Sequence, residues 1–162
     1  MLTTKVKALS KDAFAPYGDY TQLIRPAELF AGMPVNFTPD MVQLNLNRFT
    51  IASFSICRVE KRDLVVTASE YHSYTGEGII PLEDDIIIHV GKPFRRELIA
   101  SEIEAFRVPK GYMVCLKPGV LHMAPFAVDQ TVNAIIVLPE RTYANDCVVI
   151  RHEEKDHIRI EL

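Results

Sequence analysis

Glu70 and His72 stand at i and i+2, and Glu77 follows across a glycine turn at Gly76. Two residues apart on a strand, Glu70 and His72 point to the same side. Far along the chain, Lys117-Pro-Gly-Val-Leu-His122 ends a strand and turns sharply through Pro118-Gly119, which re-aims His122 toward whatever the turn faces. Glu70, His72, Glu77 and His122 therefore have the means to converge. Two imidazoles with one or two carboxylates form the mixed N/O set that suits a divalent Zn, Ni, Mn or Fe ion and leaves a position open for water or substrate. Without an ion, His122 or Glu77 could move protons, an imidazole being best matched to neutral pH.

Arg58, Tyr74 and Lys117 are the substrate-binding candidates beside this set. Alternation along residues 53–58 puts Arg58 on the side of Phe54 and Ile56, and a guanidinium on an inward face needs an anion. That anion is a substrate carboxylate or one of the protein's own acids, unless Arg58 sits at the strand end and reaches water. Lys117 shares a strand face with Met113 and Cys115; at a pocket mouth its ammonium would hold a carboxylate or, desolvated, act as a base. An ordinary exposed lysine fits the same position. Each of these groups also has a plainer role, since a histidine near a strand end is more often a hydrogen-bonded structural residue than a ligand. His89 alternates away from Ile86, Ile88 and Val90 and reads as a surface residue, while His152 and His157 lie in a charged tail and read as solvated.

The elements that must position these side chains are strands. Residues 49–59, 65–71, 78–81, 86–90, 103–108, 112–116, 132–138 and 148–151 are short, rich in Val, Ile and Phe, and separated by Gly, Pro or Asp clusters. Only 10–15 and 151–156 offer one or two helical turns, so parallel α/β classes fit poorly. Prolines at 26, 34 and 39 and Gly32 break any periodicity over residues 25–40, which reads as a covering loop and a candidate lid. An all-β antiparallel barrel or jelly roll follows, as a single domain over residues 1–162, its interior filled or used as a pocket.

The spacing Glu70-x-His72-x4-Glu77, followed about 45 residues later by Pro118-Gly119-x2-His122, resembles the two cupin signatures, with Glu70 in place of the first histidine. More of the chain is similar to the ureidoglycolate lyase (formerly ureidoglycolate hydrolase) family of small cupins. The similarity runs through Phe14-Ala-Pro-Tyr-Gly-Asp19, Ser55-Ile-Cys-Arg58, the block from Glu70 to Glu77-Gly-Ile-Ile-Pro-Leu82, Glu104-Ala-Phe106, Pro118-Gly-Val-Leu-His122, Arg141 and Asn145-Asp-Cys147. Glu77 stands where that family has Gln, and Lys117 and Met123 where it has histidines. The resemblance implies a cupin-like double-stranded β-helix and cleavage of ureidoglycolate to glyoxylate and urea in purine and allantoin catabolism. Arg58 and Lys117 would anchor the carboxylate, and His122 or Glu77 would transfer protons. The alternatives are a metal-dependent cupin acting on another small hydroxy or keto acid or a sugar, and a non-catalytic small-molecule-binding cupin.

Composition narrows the partners. The 162 residues are 48% hydrophobic and 24% charged, with 18 Lys+Arg against 21 Asp+Glu, so the net charge is -3. No basic block exists to neutralise a phosphate backbone, which argues against nucleic acid. No apolar run approaches the roughly 18 residues that span a bilayer. Cys57, Cys115 and Cys147 are widely spaced without a CxxC pair and read as reduced core residues of a cytoplasmic protein. Exposed edge strands in a small barrel make a homodimer the expected assembly, with a small carboxylate as the expected ligand.

Overall fold

The computed structural model describes residues 1–24, 34–35, 37–93 and 98–162. Its strands are β1 (Leu2–Ala8), β2 (Gly18–Gln22), β3 (Ala52–Val59), β4 (Val65–Val66), β5 (Ala68–Tyr71), β6 (Glu77–Pro81) and β7 (Ile86–Val90). They continue as β8 (Glu104–Val108), β9 (Tyr112–Leu116), β10 (Phe126–Ala127), β11 (Val132–Pro139), β12 (Val148–Arg151) and β13 (Ile158–Glu161). Among the described residues, helical structure is confined to α1 (Lys11–Phe14), α2 (Thr142–Asn145) and 3-10 turns at Ala100–Glu102 and Glu154–Asp156. The covering loop expected over 25–40 falls mostly outside the described residues.

Hydrogen bonding arranges the strands as a sheet of order β10-β7-β8-β1-β13-β4, a second of order β2-β9-β6-β11-β3, and the pair β12-β5. The result is an all-β cupin-like barrel. Its ladders are antiparallel with two exceptions: β1 runs parallel to both β13 and β8. The sequence reading missed β1 because its Thr and Lys residues leave it mostly at the surface, so backbone pairing and not an apolar stripe makes it a strand. Short polar β2 escaped for a similar reason, whereas the terminal β13 does bury Ile158 and Ile160 but was read as part of the charged tail.

The core lies between the two large sheets. Ile86, Ile88 and Val90 of β7 and Phe106 and Val108 of β8 meet Ile79, Val114, Leu116 and Ala134 from the second sheet, with Phe14 of α1 closing one end. A second apolar cluster covers the other face of the first sheet, where Ile87 and Ala105 pack with Val66, Phe126, Ile158 and Ile160. Each fully buried Ile or Val contributes about 1.5–3 kcal/mol, so both layers matter energetically. Covered on both faces, β7 has no solvent side, and this corrects the reading of His89. The imidazole is 1% exposed and shares a serine hydroxyl, Ser69 Oγ, with His152, itself 7% exposed. Alternation separates two faces but cannot show that both are buried.

The same ambiguity reversed β3. Phe54 and Ile56 are 72% and 63% exposed, so the face they share with Arg58 looks outward, and Cys57 looks toward the interior. Arg58 accordingly lies in solvent, 3.7 Å from Glu60 Oε1, and needs no buried counter-ion. No helix among the described residues is long and apolar enough to cross a membrane.

Candidate metal centre

Register brings distant residues together. Glu70 on β5 and His122 form an isolated antiparallel bridge, in which the Glu70 amide donates to the His122 carbonyl at 2.5 Å and the His122 amide to the Glu70 carbonyl at 2.8 Å. Residues directly opposite in such a bridge put their side chains on one face. The bridge forms because the chain reverses at Lys117–Val120, where Gly119 has φ +78 and Val120 N donates to Lys117 O at 3.3 Å. That backbone conformation favours glycine. The Gly119 amide also donates to the His72 carbonyl at 2.7 Å, tying the turn to the end of β5.

Glu77 opens β6 opposite Leu116 of β9. The approach depends on Gly76, because a Cβ there would lie 2.3 Å from the Leu116 carbonyl oxygen. Gly76→Ala must therefore push β6 away from β9, and it is expected to destabilise the fold by about 3 kcal/mol. Urea unfolding measures the loss; an unchanged midpoint would show that the strands part at no cost.

Within the site, Glu77 Oε2 lies 3.0 Å from His72 Nε2 and 3.1 Å from His122 Nε2, and all three side chains are buried. The opposite ring nitrogens are committed elsewhere: His72 Nδ1 lies 2.6 Å from the Asp146 carbonyl and His122 Nδ1 lies 2.9 Å from the Val120 carbonyl. A carbonyl only accepts, so each Nδ1 carries a proton and donates it. Both Nε2 atoms then present a lone pair to the carboxylate unless a cation intervenes, either as added protons or as a metal ion. Burial alone would raise the Glu77 carboxyl, but His122 and His72 outweigh it and hold it at about 2. Burial works against charge on His122 as well, yet the adjacent Glu77 carboxylate raises its pKa above the ordinary value. The site therefore favours positive charge between these groups.

A metal ion fits this donor set. One ligand atom each from Glu70, His72 and His122 lies within 4.8 Å of the others, and Glu77 Oε2 sits beside both imidazoles. Ligands about 2.0–2.1 Å from a tetrahedral Zn would stand about 3.3–3.4 Å apart, a few tenths of an ångström wider than the 3.0 and 3.1 Å around Glu77 Oε2. Nδ1–H groups donated to carbonyls are also the usual support for metal-bound histidines.

Glu70, His72 and Glu77 line a cavity of about 160 Å³ together with Cys57, Tyr143 and Cys147. Cys147 Sγ donates to Glu70 Oε2 at 3.2 Å, and burial followed by that carboxylate pushes its thiol up to about 12, so it remains protonated. Asp146 was not singled out in the sequence, although it is central here. Its carboxylate accepts from the Ser73 and Tyr74 amides at 2.8 and 2.9 Å, which fixes the turn after His72. The signal for it was faint: one acid beside Cys147, far from the other candidates. Cys57 and Cys147 are free and half-buried in the cavity wall, while Cys115 is in the core.

The other candidates are placed apart. Lys117 is exposed, donates from Nζ to the Ala15 carbonyl at 2.5 Å, and lines a different cavity of about 450 Å³ with Lys11 and Tyr20. The Pro118 turn that points His122 inward leaves Lys117 facing α1. Tyr74 is 57% exposed on the loop after β5, and Arg58 lies on the outer face of β3.

Comparison with solved structures agrees on the fold. A dTDP sugar isomerase from Desulfovibrio desulfuricans G20 is 17% identical, covers 86% of this chain and 85% of its own, and superposes with a TM-score of 0.51. The epimerase RmlC from Legionella pneumophila Philadelphia 1 (dTDP-6-deoxy-D-glucose-3,5-epimerase), solved with dTDP-4-keto-L-rhamnose, is 13% identical with a TM-score of 0.45. That alignment covers 68% of this chain and spans 58% of the epimerase. No curated protein sequence matches. The ureidoglycolate lyase resemblance is overturned: neither the family match nor the isomerase structure leads there, and the lyase, purine and allantoin assignments fall with it. Short strand and turn motifs are imposed by the barrel and are shared by cupins of unrelated chemistry. Residues 33–160 match the family described as a domain of unknown function, DUF4867, and the chain belongs to that family.

Proposed function

We propose that this protein is a metal-dependent cupin enzyme that isomerises or epimerises a small sugar or hydroxy/keto acid. The observation that carries the reading is the pair of buried imidazoles, each with its Nδ1–H donated to a carbonyl and its Nε2 turned to the Glu77 carboxylate. Glu70, His72, Glu77 and His122 would hold the ion. When bound, a divalent ion polarises a carbonyl and acidifies the carbon next to it.

The chain's own groups divide the remaining work. Glu77, held ionised at about 2, keeps its charge throughout and is unsuited to exchanging protons near neutrality. Asp146 and Val120 fix the two ring orientations through their carbonyls. Glu70 is less buried than His72 or Glu77 among the groups lining the cavity, and it is the carboxylate to take the proton beside the substrate carbonyl. Ile136, Leu138 and Pro125 form an apolar side of the cavity and restrict water around the reacting carbon. At about 160 Å³ the space accepts a few-carbon unit, below the roughly 300 Å³ at which drug-sized pockets begin. The similar structure named for a dTDP sugar isomerase favours a sugar over the other small acids.

The test combines metal analysis with isotope exchange. Protein purified without chelator is expected to contain stoichiometric divalent metal. In D2O it should exchange the proton beside the carbonyl of at least one small ketose, aldose or hydroxy keto acid, followed by NMR. Chelation should stop exchange and readded metal restore it. Metal-free protein, or exchange indifferent to chelator, would overturn the proposal.

A further inference from the structure

Just beyond His122, the side chains of Met123, Ala124 and Phe126 help to wall a second cavity, of about 230 Å³, that the proposed reaction does not use. Arg62, Thr67 and His89 complete the relevant lining. Arg62 is at the solvent side, with its guanidinium carbon 4.2 Å from the Phe126 ring centroid and one N–H donated to the Ala124 carbonyl at 3.1 Å. It has no carboxylate partner among the described residues. Stacking and one hydrogen bond thus hold a planar cation in place while its remaining donors have no acceptor among those residues. Such a guanidinium suits the two-point binding of an oxyanion, phosphate or carboxylate.

His89 supplies the inner wall. Its Nε2 lies 3.0 Å from Ser69 Oγ, which His152 Nε2 also approaches at 3.1 Å. The Nδ1 atom of His89 is buried and has no partner among the described residues. Buried polar atoms in folded proteins are nearly always partnered, so this nitrogen calls for a partner that none of the described residues provides. When Ser69 gives its single proton to His89 Nε2, the ring proton is on Nδ1 and the imidazole is a donor.

We infer that this cavity is an oxyanion pocket, in which Arg62 and His89 receive the phosphate or carboxylate group of a small ligand. Burial keeps His89 neutral, its pKa lowered to about 3, so Arg62 provides the charge and His89 a neutral hydrogen bond. The pocket shares Ala124 with the cavity at the candidate metal centre but none of the four groups that would hold the ion. It therefore stands independently of the proposed reaction.

Isothermal titration of the full chain with inorganic phosphate and, separately, glycolate, at constant ionic strength set by chloride, tests the assignment. Saturable binding of at least one anion is expected, and which one binds tells phosphate from carboxylate. Arg62→Gln should weaken it at least tenfold and Arg62→Lys less. Because Arg62 is exposed, both variants are expected to fold, which their circular dichroism verifies. Removing metal with chelator should leave anion binding unchanged, so this result is read apart from metal content. The inference is overturned if neither anion binds saturably, if Arg62→Gln binds as the parent does, or if binding disappears on chelation.

Discussion

Glu77→Gln is expected to weaken metal binding at least about 100-fold while leaving the metal-free protein folded. The two consequences separate because of the ring tautomers. Both Nδ1 protons are engaged by the Asp146 and Val120 carbonyls, so the Nε2 atoms facing residue 77 are free to accept. A glutamine amide can donate to them and satisfy the site without any cation, whereas a carboxylate cannot. What glutamine lacks is the negative charge that helps to hold a divalent ion between the imidazoles. Altering even a residue that supports a ligand typically costs 10–100-fold in metal affinity, and losing the carboxylate itself should cost at least about 100-fold.

Thermal unfolding reads the result directly. At a thousandfold excess over its dissociation constant, an ion that binds only the folded state adds about 4 kcal/mol. For a chain of this length, 1 kcal/mol corresponds to roughly 2–4 °C, so added metal should raise the parent midpoint by about 10 °C and the variant's, bound about 100-fold more weakly at the same metal concentration, by no more than about 3–6 °C. A Glu77→Gln protein stabilised by metal as strongly as the parent would remove Glu77 from the site.

Acid should unfold the metal-free protein by charging its buried histidines. His89 of β7 is buried against Ser69 and Phe126, and burial, with smaller contributions from neighbouring positive groups, lowers its pKa from 6.5 to about 3. A folded-state pKa below the unfolded value means that the unfolded chain binds more protons at intermediate pH. The stability that follows is fully present above pH 6.5 and is lost as pH falls toward about 3. For His89 alone this amounts to roughly 5 kcal/mol, comparable with the whole stability of a marginal domain. His152 is lowered too, again by burial first, and acts in the same direction. Glu77 adds a loss at lower pH, between 4.5 and about 2, as the carboxylate is protonated. His122 has the opposite sign: its raised pKa gives stability present below 6.5 and lost as pH rises through its folded value.

Urea unfolding of chelated protein from neutral pH down to about pH 4 checks the balance. The parent should lose several kcal/mol over that range, and His89→Gln, although less stable at neutral pH, should show a much shallower slope. An equal slope in the two proteins would refute the buried imidazole as the cause.

Much of the architecture was written in local pattern. Apolar runs such as 86–90 and 112–116 coincide with β7 and β9, because a strand that must bury side chains declares itself by composition. Strands held by backbone pairing at the surface, such as β1, leave no such mark. The spacing from Glu70 to Glu77 and the turn before His122 named the four groups that the fold does gather, since i, i+2 geometry and a Pro-Gly reversal are local properties. The supports of that site were invisible: a backbone carbonyl from Asp146 or Val120 has no side-chain signature.

The amino-acid sequence by itself therefore determined that the chain is β-rich and which acids and imidazoles could meet. Tertiary structure alone decided which side of each strand is inside. Alternation divides Phe54, Ile56 and Arg58 from Cys57, and Ile86, Ile88 and Val90 from His89, yet it carries no sign. Orientation is set only when another layer covers a face: β7 is covered on both and buries His89, while β3 leaves its apolar face open and turns Cys57 inward. Burial is a property of two surfaces in contact, and a single strand's sequence records only one of them.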